Sequence, residues 1–389
     1  MTELVEVIPA RQGDHEYPVR VGSGAAELVG ALADEHDRVA LVSCARVLAT
    51  PFGKQVRARL EREAPLALVH VLPDGERGKS LRELERGAVA LLRAGMTRRS
   101  LVVALGGGAV TDAAGFLAAT YMRGVRWVAV PTTLLGMVDA AIGGKTAVNL
   151  PVAKNAVGAF HPPEAVLADP AALETLPARE VRSGKGEVMK YAALRPDLLE
   201  AFGPQLAAAT LDPLVIATCA RMKVDVVEAD PTEQGPRKLL NLGHTFGHGV
   251  EAAGAFSRYT HGEAVAVGLA FAFRLAARLG RVGADAATAV EERLAAAGLP
   301  ARVPRETARA AQRLMAFDKK RGDGGLRWVL PVAVEGGRWA VEWDVEADAE
   351  AVDATVAEIA APAPSRASTR KKGRATLARG RSAAGKAAR

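Results

Sequence analysis

The chain has 389 residues, 49% of them hydrophobic, two cysteines and a formal net charge of +7. That length exceeds the ~250–300 residues one core supports, so two domains are expected; two distant cysteines exclude a disulfide framework, and no apolar run reaches the ~18 residues of a membrane span. The start, Met1-Thr-Glu-Leu-Val-Glu, lacks the basic-then-apolar pattern of a secretion signal, so a cytoplasmic protein is expected.

From Val39 the first half alternates short apolar runs with amphipathic stretches. Residues 39–43, 68–72, 101–105 and 127–130 read as buried strands, and 46–63 and 80–95 have helical spacing. This rhythm predicts an α/β domain over 1–177, with a parallel, Rossmann-like sheet and ligands at the carboxyl ends of its strands. Gly106-Gly107-Gly108-Ala-Val-Thr-Asp112 follows the third of these runs and opens a helix over 109–122. Glycines there let a backbone approach a pyrophosphate at a helix N-terminus, although the spacing is not GxGxxG. Asp74 to Lys79, and Thr132 with Thr133, fall at the ends of neighbouring strands and offer charges and hydroxyls on the same rim. Gly143-Gly144-Lys145-Thr146 is not a P-loop, because Asp139 stands where the first glycine would be and no clear strand precedes it.

Past Leu176-Pro177 the pattern becomes helical, over 197–209, 212–229, 262–280 and 284–297, with a hairpin over 326–344. A mostly α-helical second domain over 178–361 is expected, with the site in the cleft between the halves. The segment 362–389 carries nine Lys or Arg and no acid; without it the chain has 42 basic against 44 acidic residues. This tail offers almost nothing to bury and is expected to be disordered. Contact with nucleic acid is the less favoured reading and would run through the tail alone.

Three of the seven histidines fall in one window: Asn241-Leu-Gly-His244-Thr-Phe-Gly-His248-Gly-Val-Glu251 and His261-Gly-Glu263, preceded by Gly186-Glu187-Val-Met-Lys190. One carboxylate and two imidazoles suit Zn²⁺ and leave positions open for a substrate. His244 and His248 share a helix face, but spacing does not choose which histidines bind. Arg123, Lys145, Lys154, Lys190, Lys223, Arg237, Lys319, Lys320 and Arg327 lie in or beside these motifs, a surplus of cations that suggests a phosphate or carboxylate substrate.

Gly-Gly-Gly-x-x-x-Asp-x-x-Gly-Phe, Tyr-x-Arg-Gly, Pro-Thr-Thr-Leu-Leu, Gly-Gly-Lys-Thr-Ala-Val-Asn, Gly-Glu-Val-Met-Lys-Tyr, Asn-Leu-Gly-His-Thr-Phe-Gly-His and His-Gly-Glu-Ala-Val run in order between about residues 39 and 331. Together they resemble the 3-dehydroquinate synthases of the sugar-phosphate cyclase superfamily. The resemblance implies conversion of 3-deoxy-D-arabino-heptulosonate 7-phosphate to 3-dehydroquinate and phosphate, a step toward chorismate and the aromatic amino acids. It implies NAD, one divalent metal (Zn²⁺, with Co²⁺ as alternative), a small phosphorylated sugar acid as substrate and a homodimer. The metal ligands it implies are Glu187, His244 and His261, with His248 left for proton transfer. Glu233, His248, Lys145 and Asp139 would be catalytic. Arg123, Lys145, Asn155, Lys190, Lys223, Arg237, Asn241, His248 and one of Lys319 or Lys320 would contact substrate. Asp74, Gly75, Glu76, Arg77, Gly78, Lys79, Gly108, Ala109, Val110, Thr111, Asp112, Thr132, Thr133, Asp139, Lys145, Lys154 and the stretch Ala172, Leu173, Glu174 and Thr175 would contact NAD. Two departures from the family's pattern stand out: Cys44 and Ala45 where a polar or acidic residue is usual, and Ala140 and Ala141 in place of small hydroxyl residues. The rival readings are a different cyclase of the superfamily and a metal-dependent polyol dehydrogenase, which would release NADH.

Overall fold

The computed structural model describes residues 3–151, 153–319 and 326–361. The tail 362–389 and Lys320 lie outside the described residues.

The first half is built on a seven-stranded sheet: β1 (Glu3–Gln12), β2 (His15–Ser23), β3 (Val39–Cys44), β4 (Leu66–Leu72), β5 (Leu101–Gly106) and β6 (Arg126–Pro131), joined by β9 (Ala165–Ala168), which follows a separate hairpin of β7 (Lys145–Leu150) and β8 (Ala153–Phe160). The order is β1-β2-β9-β6-β5-β3-β4; only β1 runs antiparallel. The four predicted strands are β3 to β6, and every residue of β3 and β5 is buried, as expected of a sheet covered on both faces. The hairpins β1–β2 and β7–β8 and the short β9 were not predicted.

Helices α1 (Val29–Asp34), α2 (Ala45–Ala49), α3 (Pro51–Glu63), α4 (Leu81–Arg93) and α5 (Gly108–Thr120) accompany this sheet. The single helix expected over 46–63 is two, because Thr50-Pro51 restarts it: Pro51 occupies the first turn and the Thr50 hydroxyl accepts from Gly53 N at 2.9 Å. Ser80 caps α4 in the same way.

The second half is helical, with α6 (Ala178–Leu194), α7 (Pro196–Ala207), α8 (Pro213–Ala229), α9 (His244–Ala253), α10 (His261–Arg278), α11 (Ala284–Ala296), α12 (Arg305–Lys319) and α13 (Ala349–Ile359). The predicted hairpin is β11 (Trp328–Val334) with β12 (Arg338–Val345); the short β10 (Val303–Pro304) and β13 (Ala360–Ala361) pair in parallel. The two halves share one hydrophobic core, and α8 packs on β1 and β2. Among the described residues no helix is long and apolar enough to cross a membrane.

Candidate metal and cofactor site

Three helix positions converge on one cluster. Glu187 lies mid-way along α6, with its side chain fully buried; His244 and His261 are the first residues of α9 and α10. Gly243, at φ 79, turns the chain into α9, and a full capping box of Thr260 and Glu263 starts α10. Glu187 Oε1 is 3.1 Å from His261 Nε2 and 3.5 Å from His244 Nε2, and the three ligand atoms lie within 4.8 Å of one another. Both carboxylate oxygens of Glu187 are buried without a well-oriented hydrogen bond, although Lys190 Nζ approaches Oε2 to 2.5 Å. A buried carboxylate left this way is costly, and a divalent cation between it and two imidazoles satisfies it. The donor set therefore fits a metal.

The electrostatics agree. Burial opposes ionisation of Glu187, but Lys190 and the two histidines outweigh it and hold the carboxyl well below its usual range. Burial pushes His244 down to about 3, leaving it neutral as a ligand must be. Burial also works against a charge on His261, yet Glu187 and Glu251 on either side raise it to about 10; a metal at Nε2 would replace the proton facing Glu187 and leave the one on Nδ1 facing Glu251.

His248, one turn after His244, is exposed; its ring centroid is 5.3 Å from that of His244 and 6.2 Å from that of His261. It stands beside the three-residue cluster on its open side.

A second buried network begins three residues after Glu187. Asp139 Oδ1 accepts from Tyr191 Oη at 2.6 Å, Lys223 Nζ at 2.9 Å and Lys190 Nζ at 3.3 Å. Asp139 sits on a single π-helical turn, Gly136–Ala140, packed against α6 and α8. This distorted turn delivers the carboxylate to the two helices. The two lysines respond differently: Lys190, between Asp139 and Glu187, is raised despite burial, whereas burial pulls Lys223, with one carboxylate and Lys190 nearby, down to about 8.

Lys145, Glu233 and Asn241 form a third group: Lys145 donates to Glu233 Oε2, and Asn241 Nδ2 donates to Oε1 at 3.1 Å. Gly143 and Gly144, at φ 93 and 62, make the turn into β7; a Cβ on Gly144 would lie 2.8 Å from Pro162 N. The segment is thus a turn into a strand, and the P-loop reading is rejected by its geometry.

At the sheet's carboxyl edge, β5 ends in the glycine turn and α5 starts at Gly108. A Cβ on Gly106 would strike Val110 at 2.5 Å, and one on Gly107 would strike Thr133 at 2.8 Å. Thr132 N donates to Gly106 O at 2.9 Å, which binds the two strand ends together. Lys79 Nζ, buried, donates to Asp112 Oδ2 at 2.5 Å and Asn155 Oδ1 at 2.6 Å, and Glu76 accepts from Asn149 at 2.6 Å. Asp74, after β4, has a buried Oδ1 with no partner, as a ribose-binding carboxylate would. The stretch 172–175 belongs to a 3₁₀ turn, Pro170–Thr175, after the parallel strand β9, on the same edge. A glycine cradle, a helix start and an unpaired buried acceptor fit a dinucleotide.

Two expected substrate residues are placed elsewhere. Arg237 is fully buried and donates to the carbonyls of Pro231 (2.8 Å) and Gly143 (2.9 Å), so it braces the turn before Lys145. Arg123 ends the turn after α5, beside the amino ends of β5 and β6, while the glycine turn is at their carboxyl ends. Thirteen residues of helix separate the two by roughly 20 Å. Lys319 is the last residue of α12, and its side chain, like all of Lys320, is outside the described residues. Two residues were missed. Tyr191 is four after Glu187, and Glu251 is seven after His244; both periodicities were available.

Residues 69–183 match the family model described as 3-dehydroquinate synthase N-terminal, and residues 184–321 the one described as 3-dehydroquinate synthase C-terminal. A 3-dehydroquinate synthase of Paracoccus denitrificans is 43% identical over 345 residues, 84% of this chain and 92% of that protein. One from Neisseria meningitidis serogroup C is 40% identical over 323 residues, 81% of this chain and 90% of its own length. Among solved structures, a 2-epi-5-epi-valiolone synthase from Streptomyces hygroscopicus with NAD⁺ and Zn²⁺ bound is 28% identical, with a TM-score of 0.79 over 90% of this chain and 98% of that one. A 2-deoxy-scyllo-inosose synthase complexed with carbaglucose-6-phosphate, NAD⁺ and Co²⁺ is 26% identical, with a TM-score of 0.78 over 91% and 100%.

Proposed function

The chain belongs to the 3-dehydroquinate synthase family, and from that premise and the site's geometry we infer that it converts 3-deoxy-D-arabino-heptulosonate 7-phosphate to 3-dehydroquinate and inorganic phosphate. The observation that carries this reading is the continuous chain of ion pairs Glu187–Lys190–Asp139–Lys223, which joins the candidate metal triad to cations suited to an acid substrate, in the same half-chain interface as the glycine turn. We further assign the enzyme to the phosphate-eliminating lyases, with NAD at the Gly106–Asp112 turn and Zn²⁺ on Glu187, His244 and His261, Co²⁺ being the alternative.

NAD bound at the Gly106–Asp112 turn would supply a transient oxidation of one substrate carbon, accepting a hydride that returns to the substrate after phosphate has left, so no net redox change occurs. A metal held by Glu187, His244 and His261 would polarise the hydroxyl being oxidised. The residues do the rest. Lys190 and Lys223 hold the substrate carboxylate, exchanging Asp139 for it in part, and Asp139 is left facing the reacting carbon. Lys145, Asn155 and Asn241 position hydroxyls and phosphate. Oxidation acidifies the proton on the neighbouring carbon, and its loss expels phosphate. His248, exposed beside the triad, and Glu233, poised between Lys145 and Asn241, are the proton carriers. Ring opening and intramolecular aldol closure need one enclosed pocket, because the intermediate must stay oriented through every step.

We also propose a homodimer. Arg123 is too far from its own glycine turn to reach it, so it serves this chemistry only from a second copy.

The test is a product assay. The purified protein, supplied with NAD⁺, Zn²⁺ and the heptulosonate phosphate, is expected to release phosphate and 3-dehydroquinate in equal amounts over many turnovers without accumulating NADH. Stoichiometric NADH would indicate the polyol dehydrogenase reading. Turnover of a hexose phosphate with the heptulosonate left intact would indicate another cyclase.

A further inference from the structure

Glu251 lies on α9 three residues after His248, with a side chain only 6% exposed. Its two oxygens face different elements. Oε2 is 3.1 Å from His261 Nδ1, and Oε1 is 3.3 Å from Lys154 Nζ on β8. Lys154 also lies 4.4 Å over the ring of Phe256. His261 is therefore held from both sides: Glu187 approaches its Nε2, on the side of the three-residue cluster, and Glu251 holds the opposite nitrogen. An imidazole that binds a metal through one nitrogen carries its proton on the other, and a carboxylate there fixes both tautomer and ring plane.

We propose that Glu251 is a positioning residue that aims His261 Nε2 at the metal, itself locked by Lys154 from the β7–β8 hairpin. This rests on Glu187, His244 and His261 being the metal set. The ligand atoms of His248, Glu251 and His261 also lie within 4.8 Å of one another, so Glu251 could instead be a ligand. The geometry opposes that, since one oxygen faces an ammonium group and the other accepts from Nδ1.

The experiment titrates metal-free protein with Co²⁺ against a competing chelator and records the visible spectrum, for the native chain and for Glu251→Ala, Glu251→Gln, His261→Ala, Glu187→Ala and His244→Ala. Glu251→Ala is expected to bind Co²⁺ about 10–100-fold more weakly, as loss of a carboxylate behind a ligating histidine typically does. Its metal-free melting curve should be close to native. Glu251→Gln keeps an oxygen that accepts from Nδ1–H, so it should stay within about threefold of native and keep the native spectrum. If Glu251→Ala does not fold, Glu251→Asp, whose carboxylate falls short by one methylene, replaces it and should lose at least about tenfold. Native affinity in Glu251→Ala would overturn the proposal. So would loss of Co²⁺ from Glu251→Gln as complete as from His261→Ala, which would make Glu251 a ligand. Native affinity in Glu187→Ala or His244→Ala would instead overturn the underlying metal assignment.

Discussion

Gly186 on α6 and Gly262 on α10 meet backbone to backbone: a Cβ on Gly186 would lie 2.3 Å from Gly262 O, and one on Gly262 would lie 1.7 Å from Ser183 O. Each glycine is the sequence neighbour of a metal-cluster residue, Glu187 and His261. Gly268 and Gly243 repeat the contact between α10 and the start of α9, where a Cβ on Gly268 would lie 1.8 Å from Gly243 O. Glu187, His244 and His261 come together because three backbones can.

Gly262→Ala is therefore expected to push α10 away from α6. Overpacking of this kind costs about 1–3 kcal/mol, and the separation of Glu187 from His261 should weaken Co²⁺ or Zn²⁺ binding by at least about tenfold. Thermal unfolding and metal titration on the same variant check the two effects. Native metal affinity would show that the glycine contact does not set the ligand distance.

Glu187→Ala, His244→Ala and His261→Ala should each purify without stoichiometric metal. His248→Ala should retain it while losing about 10²–10⁴ in turnover, the range for removal of a proton carrier. Metal analysis beside phosphate-release rates separates the cases. Metal lost from His248→Ala and kept in His261→Ala would reverse the assignment.

Lys223 gives the site a pH dependence. Burial lowers it from 10.5 to about 8, with Asp139 pulling the other way. Because the folded value lies below the ordinary one, the folded chain releases this proton first. Its contribution to stability is then fully present above 10.5 and lost as pH falls through 8. Substrate binding runs in the opposite sense: the acid needs a charged ammonium, so affinity should be level below 8 and decline above it. Lys223→Arg keeps its charge across that window, and the decline should disappear from a plot of KM or substrate Kd against pH. A native profile in that variant would assign the titration to another group.

Arg123→Ala and His248→Ala should each be nearly inactive. Unfolded together and refolded, they should recover activity in about a quarter of the sites, since a mixed dimer holds one site with both residues intact. No recovery, with dimers demonstrably formed, would mean that Arg123 serves no neighbouring site.

The parts of this protein set by short-range pattern were legible in its sequence. The apolar runs of β3, β5 and β6, the alternation with helices and the glycine turn before α5 each lie within one segment, where period and turn chemistry act locally. The break at Thr50-Pro51 was equally local and was overlooked, and so were Tyr191 and Glu251, which share helix faces with named ligands. The matched motifs named a family and, through it, a ligand set. What tertiary structure alone decided is which groups face one another across the chain. No spacing reveals that Lys190 joins Glu187 to Asp139, 51 positions away, or that Lys154 meets Glu251, 97 away. Nor does it show that Arg237 is spent on two carbonyls, or that α5 carries Arg123 away from the glycine turn at its other end. Ion pairs and glycine contacts of this kind act over a few ångströms and have no periodicity along the chain, so they exist only once packing has brought the backbones together.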